Sequence, residues 1–73
     1  MSKLLLPRSV FIPNKFIDNP SISAVTLGCI AYCYANPEKN FEAKDFEERF
    51  KISSEIAQKV FKQLHALKVL FID

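Results

Sequence analysis

The stretch that decides the fold is Lys51–Leu70, KISSEIAQKVFKQLHALKVL. Ile56, Ala57, Val60, Phe61, Leu64 and Leu67 recur at three- and four-residue intervals, drawing one apolar stripe along an α-helix. Ser53 stands just before the pattern, where a hydroxyl can cap the free amides of a first turn. Glu55 in that turn suits the positive end of the helix dipole, and Lys68 near the far end suits the negative one. Glu55, Gln58, Lys59, Lys62 and Ala66 fall opposite the stripe. That flank is polar, mildly basic and rich in hydrogen-bond donors. It is the surface expected to meet a partner.

Upstream, Ala43–Phe50 reads as a short helix, with Ala43, Phe46 and Phe50 on one side and Lys44, Glu47, Glu48 and Lys51 on the other. Ile52 is expected to pack in the turn between the two helices. Asn36-Pro37-Glu38-Lys39-Asn40 is a turn, since proline stops a helix and asparagine tolerates turn geometry. Before it, Ser21 or Ser23 caps a long helix running to about Ala35. No charged residue lies between Asn19 and Pro37, and Val25, Leu27, Cys29, Ile30, Ala31, Cys33 and Tyr34 almost encircle this helix. Such a helix is either central to the core or has one face in an interface. A homodimer or a bound protein is therefore expected, with Leu27, Tyr34 and Phe71 as interface residues. Gly28 lowers helix propensity, which points to a close helix crossing. Tyr32 and Tyr34 point to different sides, one to the core and one to the surface.

The remaining segments are short. Ser9–Ile12 is a β-branched and aromatic run ended by Pro13, which fits an edge strand, and Val69–Ile72 reads as a terminal strand. Phe41 is expected to bridge to that sheet. Asn14–Pro20 reads as a connection with Phe16 and Ile17 tucked inward. Residues 1–8 read as a flexible lead-in and residues 9–73 as a single domain.

Seventy-three residues, nearly half of them apolar and only one a glycine, suffice for one small core and do not suit a disordered chain. Cys29 and Cys33 lie four apart on the long helix, where bridging is awkward. Two buried free thiols, and hence a reducing cytoplasm, are the expectation. The Leu4–Leu6 run is too short for a signal peptide, and no run approaches the roughly 20 apolar residues of a membrane span. The net charge of +2 is too small to argue for nucleic acid alone. Its distribution says more: residues 38–50 are acidic on balance, while residues 51–68 carry Lys51, Lys59, Lys62 and Lys68 against Glu55.

The order of strand, helix, turn, short helix, tight turn, helix and strand resembles the winged helix-turn-helix domains at the N-termini of bacterial phage and plasmid replication and regulatory proteins. The resemblance covers about residues 10–72. It rests on Phe11-Ile12-Pro13-Asn14 at the opening, and on Ile22-Ser23, Gly28 and Tyr32 in the first long helix. Phe41 before the short helix, Phe46 within it, Ile52-Ser53 in the turn and the paired anchors Phe61 and Leu64 complete it. The resemblance implies a mainly α fold with a small β component. Two departures stand out. Lys68 occupies a position where the family usually has glycine, and the sequence stops at Asp73 before a second wing strand. The wing is thus expected to be truncated, its strand pairing with Val10–Ile12 or with a second chain.

In such a domain the last helix lies in the major groove of double-stranded DNA. Gln58 suits a bidentate contact to adenine, and Lys59 or Lys62 suits guanine or phosphate. Ser54, with Glu55 beside it and the amides at the helix start, can hold a phosphate, while Lys44, Arg49 and Lys51 suit the flanking backbone. Glu47 and Glu48 oppose a strong basic footprint. No catalytic site, cofactor or metal is expected: His65 has no telling partner, and a single glycine excludes the phosphate-cradling motifs. The reading is a small non-catalytic DNA-binding regulator or replication accessory protein of phage or plasmid origin. The alternative is an adaptor or inhibitor that keeps the scaffold but binds a host or phage protein.

Overall fold

The structure, a computed structural model, describes residues 11–72. It is mainly α, with four helices: α1 (Asn14–Ile17), α2 (Ala24–Ala35), α3 (Ala43–Phe50) and α4 (Ser54–Ala66). α4 packs against both α3 and α2.

Each long helix starts where a hydroxyl meets a free amide. Ser23 Oγ accepts from the Thr26 amide at 3.2 Å, and Ser53 Oγ accepts from the Ile56 amide at 3.2 Å. Ser21 has a different task, donating from its amide and hydroxyl to Asn19 Oδ1 in the turn before α2. α3 starts with Asp45 Oδ2 accepting from the Glu42 amide at 2.7 Å. This acidic start holds the Lys39 ammonium 3.5 Å from Asp45 and raises the Lys39 pKa through that charge. Sequence reading missed Glu42 and Asp45, though the E-x-x-D spacing carries the signal. The end of α2 is tied by Asn36 Nδ2, which donates to the Tyr32 carbonyl at 3.0 Å before Pro37 stops the chain.

Two lysines take left-handed backbone where helices stop. Lys51, after α3, has φ 55 and lets the Ile52 amide reach back to the Glu47 carbonyl at 3.3 Å. Lys68, after α4, has φ 61. It allows the Val69 amide to donate to Leu64 at 2.9 Å and its own amide to donate to His65 at 3.0 Å. This pair of reversed bonds satisfies carbonyls that a helix end leaves free. Val69 then packs on the core.

The core is built from Phe16, Cys29, Ile30, Cys33, Phe46, Val60 and Leu64. Phe46, Ile30 and Leu64 are fully buried, each removing enough apolar surface for about 1.5–3 kcal/mol. Around Phe46, Tyr32 approaches edge-on at 6.3 Å between centroids and Phe41 stacks at 5.7 Å. Gly28 permits the α2–α3 approach expected of it, since a Cβ there would meet Phe50 Cε1 at 3.3 Å. One buried polar group crosses the core. The Thr26 hydroxyl receives Ser23 Oγ at 3.1 Å and donates to Gln63 Oε1 at 2.9 Å, joining α2 to α4.

Several expectations change. No strand forms among the described residues. Phe11–Ile12 and Val69–Ile72 are irregular, and Ser9 and Val10 lie outside the described residues along with the rest of the lead-in. A lone strand leaves its amides and carbonyls without a ladder, and the Val69 and Leu70 amides turn back onto the Leu64 carbonyl instead. Phe41 therefore stacks on Phe46 and has no sheet to bridge. Within Asn14–Pro20 a helical turn forms. It buries Phe16 but leaves Ile17 half exposed, because adjacent residues on a helix cannot share one face. Ile56 departs from the apolar stripe and is 46 % exposed, lying in the first turn of α4.

Candidate functional site

Three residues, Lys51–Ser53, connect α3 to α4. The left-handed Lys51 reverses the chain, Ile52 anchors against the core and Ser53 caps the next helix. Because Ala57, Val60 and Leu64 are buried, the helical period forces Ser54, Glu55, Gln58, Lys59, Lys62 and Ala66 outward, and all six are exposed. Ile56 joins this surface and gives it an apolar spot near the start of α4.

The flank is less basic than a count of its lysines implies. Lys59 Nζ lies 3.8 Å from Glu55, one turn away, and Lys44 Nζ lies 3.9 Å from Glu48. Both pairs are open to water, so each contributes little to stability and is readily exchanged for another anion. Lys62 forms no ion pair among the described residues.

Lys44 and Arg49 do not share the α4 flank through any contact. Lys44 pairs along α3, and the Arg49 guanidinium sits 5.8 Å from the Tyr32 ring centre and 5.1 Å from that of Phe50. Cation–π attraction holds Arg49 on the α2–α3 seam. Lys51 is exposed at the turn. Five expected residues, Ser54, Glu55, Gln58, Lys59 and Lys62, therefore share one helix surface, with Lys51 just before it.

The expected interface residues separate as well. Leu27 is half-buried and packs on the protein's own core. Tyr34 is 38 % exposed and Phe71 80 % exposed. Most of the apolar circumference of α2 is covered within the monomer, by Cys29, Ile30 and Cys33 in the core and Tyr32 in the aromatic cluster. Val25 and Tyr34 remain as its exposed large apolar residues.

Cys29 and Cys33 are free and buried. Burial pushes the Cys29 thiol up to about 11 and the Cys33 thiol up to about 12, the latter helped by its neighbour Cys29. Both are held as neutral thiols, which are poor nucleophiles. His65 Nδ1 lies 2.9 Å from the Phe61 carbonyl, so that nitrogen carries a proton and donates it. Among the described residues no three His, Cys, Asp or Glu side chains are grouped to hold a metal, and no helix is long and apolar enough to cross a membrane. Compared with known protein families, curated proteins and solved structures, the chain finds no match.

Proposed function

We propose that this chain is a small non-catalytic DNA-binding regulator or replication accessory protein of phage or plasmid origin, using α3 and α4 as a helix-turn-helix. The observation that carries the reading is the exposed flank of α4. Gln58, Lys59 and Lys62 project from it together, one short turn after α3. α4 enters the major groove in this reading, with Gln58 and Lys59 at base edges and Lys51 and Lys62 at phosphates. A winged form belongs to the same proposal, with Val69–Ile72 gaining a strand partner in the assembled state. The buried free thiols fit a cytoplasmic setting.

Duplex binding followed by fluorescence anisotropy across a salt series tests it. Lys59→Ala with Lys62→Ala should weaken binding and reduce the slope of log affinity against log salt by up to about 1.8, since each phosphate contact contributes roughly 0.9. Absence of any salt-dependent shift with duplex DNA at low ionic strength would refute the reading. The adaptor reading then takes its place. It is favoured by the Glu55 and Glu48 carboxylates, which already occupy Lys59 and Lys44.

A further inference from the structure

A second surface lies at the other end of α4. Phe41, Phe61, Lys62, His65, Phe71 and Ile72 line a groove of about 550 Å³. Phe71 and Ile72 are 80 % and 87 % exposed, so the groove has an open apolar lip. Its floor is fixed by existing contacts. Phe41 is held by Phe46 and lies 6.0 Å from the Lys39 ammonium, and the Phe61 ring meets His65 edge-on at 4.6 Å. The Phe61 carbonyl fixes the imidazole through Nδ1 and leaves Nε2 for a ligand. No acidic side chain lines the groove.

We propose that this groove docks a short acidic amphipathic segment of another protein, which seats apolar side chains against Phe61 and Phe71 and sets carboxylates beside Lys62 and His65. The charge pattern selects this occupant. A second copy meeting the groove by two-fold symmetry would set its Lys62 and His65 toward the same pair, with no acid among the lining residues of either side. Single-stranded nucleic acid needs free ring faces to stack bases, and the wall rings Phe41 and Phe61 are already engaged. An apolar helix face flanked by glutamates meets both requirements. The proposal goes beyond DNA binding and does not depend on it.

The test uses the full chain and a fluorescein-labelled peptide of about 14 residues. The peptide contains Leu, Phe and Glu, with apolar residues at i, i+3, i+4 and i+7. A counterpart carries Lys in place of each Glu. Saturable binding of the acidic peptide is expected, about tenfold weaker for the Lys counterpart, as like charges then face Lys62. Amide shifts on binding should centre on Phe61, His65 and Phe71, and Phe71→Ser should abolish binding while leaving the helical circular dichroism unchanged. Lys59→Ala should weaken DNA binding yet leave the peptide untouched, which keeps the two readings separable.

Equal affinity for both peptides, shifts elsewhere, no saturation at millimolar concentration, or full binding by Phe71→Ser each overturn the proposal. Self-association that Phe71→Ser removes would assign the groove to a second copy. Binding seen only after deletion of residues 1–10 would assign it to the chain's own leading residues.

Discussion

At Lys68, glycine should make the protein more stable than alanine by about 0.8 kcal/mol, the reverse of their order inside a helix. The backbone there has φ 61, imposed by the two reversed hydrogen bonds that close α4. An L residue in this region costs roughly 1–2 kcal/mol because Cβ crowds the neighbouring carbonyl, and glycine has no Cβ. Against this, glycine gives the unfolded chain more freedom, a loss of about 0.4–1 kcal/mol. Lys68→Ala and Lys68→Gly both delete the ammonium near the helix C-terminus, so its dipole contribution cancels between them. The remaining difference corresponds to a melting shift of roughly 3–6 °C for a domain of this size. Thermal and urea unfolding followed by circular dichroism would measure it. Ala66→Gly, two residues earlier and within α4, supplies the opposite sign and should destabilise by about 1 kcal/mol. If Lys68→Ala matches or exceeds Lys68→Gly, the left-handed assignment and the argument from it are refuted. Lys51, at φ 55, permits an independent repeat of the comparison.

Two further outcomes follow from the interior. Gly28→Ala should change stability by less than about 1 kcal/mol, because gained helix propensity offsets pressure on Phe50 Cε1 at 3.3 Å; Gly28→Val should lose at least about 2 kcal/mol, and Phe50→Leu should recover part of that loss, read by urea unfolding. Alkaline stability should depend on the cysteines. Their folded pKa values stand above the ordinary 9.0, at about 11 and about 12, so the unfolded chain releases those protons first. Their stabilising effect is complete below pH 9 and lost as pH rises through 11–12, amounting to a few kcal/mol in order of magnitude. The Cys29→Ala, Cys33→Ala double variant should show a shallower fall over that window in urea titrations at stepped pH.

Local signals made the helices legible. Ser23 and Ser53 offered caps, Pro37 a stop, and the spacing of Ala57, Val60 and Leu64 an inward stripe, and α2, α3 and α4 follow those marks. The exposed flank of Gln58, Lys59 and Lys62 could be read for the same reason, since a helical period that buries one side exposes the other. Strand expectations at Phe11–Ile12 and Val69–Ile72 had no such local basis. A β-branched and aromatic run records a preference for a half-buried surface, and whether it becomes a strand depends on a distant partner. Ile56 and Ile17 show the same limit, because apolar type alone does not say which neighbour is available. The Arg49 position over Tyr32 and Phe50 depends on how α2 meets α3, information that no single stretch contains. Pairings such as Lys59 with Glu55 were implicit in the four-residue spacing.

The hydroxyl relay from Ser23 through Thr26 to Gln63 bears on how freely this scaffold can vary. A purely oily contact between two rods would tolerate a small roll of one against the other. A directional bond at 2.9 Å between Thr26 and Gln63 does not, so it acts as a detent for the angular setting of α4. The outward side chains can then be exchanged for others without disturbing the angle at which they are presented. New preferences could accumulate on the outside of α4 while the inside keeps its aim.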